Sequence, residues 1–404
     1  MGDWRKYMNR ICGTVSRGLR APIIKEGDDL AQVVIDTVLQ AKENGELTIK
    51  DHDILAVTES ILARSQGNYC SIDDIAHDVA NKLGSDHIGV IFPIFSRNRF
   101  AICLRGIARG VKKITLQLSY PSDEVGNHLF LENKLEELNI SPYVDVFTEE
   151  EFTKTFGKTT HPFTGMDYVA YFKEIIENED CEAEIIFSNQ ATTILQYTKN
   201  VINCDIHTRT FTKEKLLKSG ANVVCSLSDL MTQPVNGSGY NEEYGLLGSN
   251  KSSEDVVKLF PRNSQQFVED LQQSFYQATN HHIEVMIYGD GAFKDPVGKI
   301  WELADPVVSP GYTKGLEGTP NELKLKYLAD NQFKDLSGAA LQSAIKESIQ
   351  HKDSKLKGQM VSEGTTPRQL TDLIGSLCDL TSGSGDKGTP FVYISGYFDN
   401  YTDE

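Results

Sequence analysis

The chain has 404 residues, enough for two or three domains, and 39% hydrophobic and 24% charged side chains give an ordinary globular balance. A formal net charge of −17 excludes a general nucleic-acid binder, because phosphate neutralisation needs the opposite sign; an anionic nucleotide would need local cations or a metal. No apolar run approaches the roughly 20 residues of a membrane span, and the N-terminal MGDWRKYMNRICGTVSRG lacks the continuous apolar stretch of a secretory signal. Seven scattered cysteines without a CxxC argue against a disulfide framework or zinc ribbon and for a reducing cytoplasm.

In chain order, Gly27-Asp28-Asp29 precedes Leu30, Val33, Val34 and Val38 at near-helical spacing, which predicts a helix with the two aspartates as caps. Residues 53–67 (DILAVTESILARSQG) read as a strand over Ile54–Val57 running into a polar turn or helix closed by Arg64 and Gly67. Residues 70–84 predict an amphipathic helix with Ser71 as N-cap, Asp74 at the capping-box position and Gly84 as its stop.

From about Ser85, strand-like runs (IGVIFPIF, ITLQLSY, IIFS, VVCSL) alternate with helical patterns (FLENKLEELN, YVAYFKEIIEN, KEKLLKSG), the signature of an α/β sheet. Polar patches punctuate them: Ser96–Arg99, Pro121–Asn127, His161–Tyr168 and Asp205–Arg209. Strand ends are where α/β folds place ligands, although a plain polar loop is the default for each. Asp205 and His207 suit either an oriented acid/base pair or a structural contact. No His or Cys pair has zinc-ligand spacing.

Residues 233–251 form a Gly- and Asn-rich loop containing Glu242, Glu243 and Lys251, whose backbone N–H groups suit an anion, yet the GxxxxGK[ST] and GxGxxG motifs are absent. A helix over SQQFVEDLQQSFYQA leads into His282–Pro310. There Ile283, Val285 and Ile287 alternate as a strand that stops at Gly289-Asp290-Gly291, and Lys294, Asp295, Glu302 and Asp305 follow. Glycines bracketing one carboxylate allow a ligand to approach the backbone, and oxygen donors suit Mg²⁺ or Mn²⁺ holding a phosphate. The plain alternative is an acidic surface loop with a tight turn. The last third predicts a solvent-facing helix over 340–363, a helix over QLTDLIGSLCDL and a strand over Phe391–Ser395.

Three segments resemble the coenzyme F-420 gamma-glutamyl ligase family: Pro22–Leu30 with Asp53–Gly67; Gly248-Ser249-Asn250 through Lys258–Arg262 to Val285–Asp290; and Thr371–Gly396. Residues between about 85 and 240 carry no match. Where the family has a carboxylate before its Ser-Asn, this chain has Leu247, its acidic pair after Pro261 is Arg262-Asn263, and its lysine positions near residue 60 hold Glu59 and Ala63, with Arg64 left as a cation. Asp290 matches a family metal ligand cleanly.

The resemblance implies an α/β fold of mixed sheets with flanking helices: a ligase-like core over 1–88 and 236–404, interrupted by an inserted α/β region at 89–235. It implies a homodimeric ligase that uses GTP, or ATP, with Mg²⁺ or Mn²⁺ to join an amino acid, glutamate first among candidates, to a small-molecule carboxylate, while the cysteine pattern, net charge and hydropathy point to a cytoplasmic protein with no nucleic acid or membrane partner. Asp290, Lys294 and Arg262 would be catalytic. Gly248, Ser249, Asn250, Lys251, Gly289 and Gly291 would hold the nucleotide, and Asp290, Asp295, Glu242 and Glu243 the metal. The Asp123-Glu124 and Asp167 loops would recognise the acceptor. Two rivals stand beside this reading: a catalytically degenerate nucleotide or metabolite sensor, and a phosphotransferase or hydrolase using the same site.

Overall fold

A computed structural model describes residues 11–162, 164–291, 305–362, 368–382 and 385–402. It is a mixed α/β structure with three sheets. The first contains β1 (Val15–Leu19), β2 (Ile54–Thr58) and the strands Glu284–Tyr288, Gly311–Tyr312 and Phe391–Ser395. Phe391–Ser395 lies between β1 and β2, antiparallel to both. β2 runs parallel to Glu284–Tyr288, and Thr58 sits opposite Tyr288, so both strands end at the same edge.

Both faces of this sheet are buried, which explains why β2 is apolar throughout rather than alternating. Leu55, Val57, Val285, Ile287 and Phe391 pack on α1 (Leu30–Glu43) and the Ser264–Thr279 helix through Val34, Val38, Val268 and Leu271. Ile54, Ala56, Met286 and Val392 face the other way, onto Ile374 and Cys378 of the Leu370–Ser382 helix. Asp29 caps α1 by accepting from Gln32 N–H, as its sequence position predicts.

A small sheet joins β3 (Tyr69–Ser71) to the short strands Val256–Lys258 and Asn250–Lys251. It links α2 (Glu59–Ser65) to α3 (Ile72–Leu83).

The third sheet holds β4 (His87–Ile91), β5 (Lys113–Leu118) and the strands Glu182–Phe187, Asn200–Asn203 and Val223–Ser226, all parallel, with Phe147–Thr148 antiparallel at one edge. Taken in chain order, the parallel strands lie third, second, first, fourth, fifth across the sheet. In that doubly wound order, ligands sit beyond the carboxyl ends of the first and fourth strands. Here Ile94, Cys204, Ile206, Leu246 and Leu247 fill that crevice and leave a void of only about 20 Å³. α4 (Phe100–Arg109) follows β4 and packs a wide apolar face against α3 and the sheet, with Arg105 and Arg109 on its remaining side paired with Glu179. The core of this sheet also takes in Ile72, Ile75 and Val79 of α3, together with Val257 and Leu259, from outside residues 89–235. No helix among the described residues is long and apolar enough to cross a membrane.

The α3 cap matches its sequence signature: Ser71 Oγ accepts from Asp74 N–H, Asp74 accepts from Ser71 N–H at 2.8 Å, and Gly84 ends the helix with a left-handed backbone. Ser71→Ala is expected to cost about 1 kcal/mol, read as a lower thermal midpoint, and Ser71→Thr to restore most of it. An unchanged midpoint in Ser71→Ala would contradict the role given to this cap.

Candidate functional site

The parallel pairing of β2 with Glu284–Tyr288 brings Glu59, the first residue of α2, and Gly289-Asp290-Gly291 to one edge of the sheet. The tip is closed by its own carboxylates. Asp290 N–H donates to Asp305 Oδ2 at 2.7 Å, and Gly291 N–H donates to Asp379 Oδ2 at 3.0 Å. A Cβ on Gly289 would collide with Asp305 Oδ2. The glycines thus admit protein carboxylates to the backbone, where the sequence reading expected a ligand.

Two cations meet these acids. Arg99, from the loop between β4 and α4, donates Nη2 to Asp290 Oδ2 at 2.6 Å and Nη1 to Asp305 Oδ1 at 2.5 Å. Asp305 is fully buried, and the Arg99 side chain is only 16% exposed. Lys258 Nζ lies 3.7 Å from Glu59 Oε1 and donates to Ser60 Oγ. Glu59 Oε2 is buried without a hydrogen-bond partner among the described residues.

The Arg99 loop is itself pinned. Buried Asp123 accepts from Phe95 N–H at 2.6 Å and from the backbone N–H groups of Val125 and Asn127, while Asn98 C=O accepts from Lys251 N–H. Glu124 accepts from the N–H groups of Ile206 and His207, and Asp167 caps the Tyr168–Glu177 helix. These three acids, expected to meet an acceptor, spend oxygens on local backbone. Asp205 likewise accepts the hydroxyls of Thr208 and Thr212.

A cleft of about 700 Å³ opens over the tip. Glu59, Asp290 and Asp379 line it on the acidic side, and Arg64, Arg99, Lys251 and Lys258 supply positive charge. Pro22, Ile23 and Ile24 form an apolar part of the wall, with Gly388, Thr389 and Pro390 beyond. All three segments that carry the family resemblance therefore contribute to one cavity.

Of the residues expected at the site, Asp290, Gly289, Asn250 and Lys251 line the cleft. Gly291 packs on Ser376 and Asp379. Gly248 is pressed against Phe260 and Pro306, and Ser249 Oγ is buried 3.3 Å from Cys103 Sγ, so both serve packing. Arg262 lies outside the cleft lining, its guanidinium 4.7 Å from the Tyr240 ring centre and its backbone bracketed by Gln66. Glu242 and Glu243 are exposed and also outside it. Lys294, Asp295 and Glu302 fall outside the described residues. Sequence reasoning missed Arg99, Glu59, Lys258 and Asp379 as site residues. All four lay within segments it singled out, Arg99 in a polar patch and Glu59, Lys258 and Asp379 in the resemblance segments.

Burial pushes the Glu59 carboxyl up to about 7, against the opposing pull of Lys258. Burial and then Asp305 push Asp290 up to about 7, with Arg99 opposing. Burial also raises Asp379. Oxygen donors of this kind have the chemistry of a hard divalent ion. Their placement does not fit one: both Asp305 oxygens and Asp290 Oδ2 are engaged by Arg99 or backbone N–H, and among the described residues no three His, Cys, Asp or Glu side chains are placed to hold a metal.

The raised Glu59 pKa has a stability consequence. Between about 4.5 and about 7 the folded state keeps a proton that the unfolded chain has lost, so ionising Glu59 weakens the fold as pH rises through that window. Glu59→Gln is neutral throughout. Its thermal midpoint should match wild type near about pH 4 and exceed it near about pH 8. A midpoint deficit that grows with pH would contradict this environment for Glu59.

The model of the F420-0:Gamma-glutamyl ligase family matches residues 18–396, a span that brackets the middle region as well as both flanking segments. No curated protein matches this chain.

Proposed function

This chain belongs to the F420-0:Gamma-glutamyl ligase family, and so to a family of ligases; from that premise we propose that it joins an amino acid, glutamate first among candidates, to a small-molecule carboxylate at the expense of GTP or ATP. The observation that supports this reading best is the cleft itself, where Lys258, Lys251, Arg64 and Arg99 face Glu59, Asp290 and Asp379 over the ends of two parallel strands.

The chemistry needs two displacements. The acceptor carboxylate oxygen attacks the terminal phosphorus, the bond to the bridging oxygen breaks, and an acyl phosphate and a nucleoside diphosphate result. The amine nitrogen then attacks the acyl carbon, the C–O bond breaks, and phosphate leaves with the amide formed and a proton released. Phosphoryl transfer is served mainly by positioning and by cations that neutralise developing charge. Lys258, held beside Ser60 and Glu59, and Lys251 would serve that task in this reading. An amino acid arrives as an ammonium and must lose protons to attack. Glu59, with its carboxyl near 7, suits the role of acceptor for one of them.

One observation favours a second reading, a nucleotide-binding protein without turnover: Asp290, at the cleft wall, already spends Oδ2 on Arg99. Phosphate release from GTP or ATP, with and without glutamate and candidate carboxylates, separates the readings. Glutamate-dependent release supports the ligase, release indifferent to any amino acid supports a hydrolase, and binding without release supports the second reading. In the ligase, Lys258→Ala is expected to lower kcat/KM by about 100-fold, whereas Arg262→Ala, outside the cleft, should leave it nearly unchanged. Equal losses in the two variants would contradict the site drawn here.

A further inference from the structure

We infer that Arg99 is a tethered cation that occupies the place of a protein-bound divalent ion at the strand tip. Its guanidinium lies between two carboxylates brought from fifteen residues apart, with contacts of 2.6 Å to Asp290 Oδ2 and 2.5 Å to Asp305 Oδ1. An ion bridging the same two oxygens would need the space those N–H groups fill, since hard divalent ions sit about 2.0–2.6 Å from their oxygen ligands.

The planar fork of an arginine suits this task. It presents parallel donors to two acceptors and stays protonated at any working pH. The remaining Asp305 oxygen is taken by Asp290 N–H, so neither Asp305 oxygen is left without a donor. A second observation marks the spot as one built around positive charge. Glu59 is 5% exposed, its Oε2 is a buried oxygen without a hydrogen-bond partner among the described residues, and Lys258 and Arg99 favour its charge where Asp305 opposes it.

Arg99 is also fixed in place. Its loop is held by Asp123 through Phe95 N–H and by Asn98 C=O through Lys251 N–H, and Arg99 N–H donates to Ser96 Oγ. Displacing the guanidinium would therefore leave a buried carboxylate unpaired and disturb a loop anchored in another sheet. The inference does not depend on the ligase reading, because it concerns which cation pairs with Asp290 and Asp305.

Mn²⁺ uptake by the nucleotide-free protein, followed through the paramagnetic resonance signal of the free ion, tests it. Wild type should show no uptake that Asp290→Asn removes, and Arg99→Lys, which keeps the charge, should behave as wild type does. Arg99→Gln should bind Mn²⁺ roughly tenfold or more tightly than wild type, because a positive charge at contact distance has been removed. That gain should vanish in Arg99→Gln/Asp290→Asn. One Mn²⁺ bound by wild type and lost in Asp290→Asn would overturn the inference, as would a folded Arg99→Gln that binds Mn²⁺ no better than wild type. If Arg99→Gln does not fold, the comparison of wild type with Asp290→Asn decides alone.

Discussion

The double ion pair of Arg99 with Asp290 and Asp305 is the constraint on which the site depends. It joins the loop after β4 to the tip of the Glu284–Tyr288 strand, two elements of different sheets. Charges this far from water are costly unless each finds a partner with good geometry. Arg99 supplies that partner twice, and the backbone of Asp290 supplies a third contact to Asp305. Without it, the acids over the strand ends would repel one another and the cleft would lose its floor.

The rest of the molecule holds this contact in register. The strand pairing of β2 with Glu284–Tyr288 places Glu59 beside Gly289, and the missing Cβ of Gly289 lets Asp305 close in. In the middle sheet, Asp123 fixes the loop that carries Arg99, while Leu246 and Leu247 fill the crevice that this strand order ordinarily leaves for a ligand. The doubly wound part thus presents a side chain to the neighbouring cleft, and its own ligand position is packed with apolar groups.

What could be read in the sequence was what local chemistry decides. The strand Phe391–Ser395, the strand at Ile54–Val57 and the Ser71–Gly84 helix with both its caps lie where apolar runs and capping residues put them. α4 escaped notice because Phe100 to Ala108 is an almost unbroken apolar run with Arg105 as its one charged residue, too short to be told from a strand by periodicity. With α4 and the Asn200–Asn203 strand unread, the strand order of the middle sheet could not be drawn, and Arg99 stood only as the end of a polar patch. The partner of Asp290 lies 191 residues away, a separation that no periodicity records. Gly248, Ser249 and Arg262 sit in a segment that resembles a nucleotide-binding motif, yet here that segment packs against Phe260, Cys103 and Tyr240. Motif position fixed the neighbourhood of the cleft, and long-range packing chose which residues face it.

A double-mutant cycle on Arg99 and Asp305, read by thermal unfolding, tests this account most directly. Arg99→Gln leaves buried Asp305 without its cation and is expected to cost about 3 kcal/mol or more, whereas Asp305→Asn leaves Arg99 still paired with Asp290 and is expected to cost less. The double variant has neither charge, so its midpoint should fall by clearly less than the sum of the two single losses. Strictly additive losses would mean that the two side chains do not hold each other, and the account of the strand tip would be contradicted.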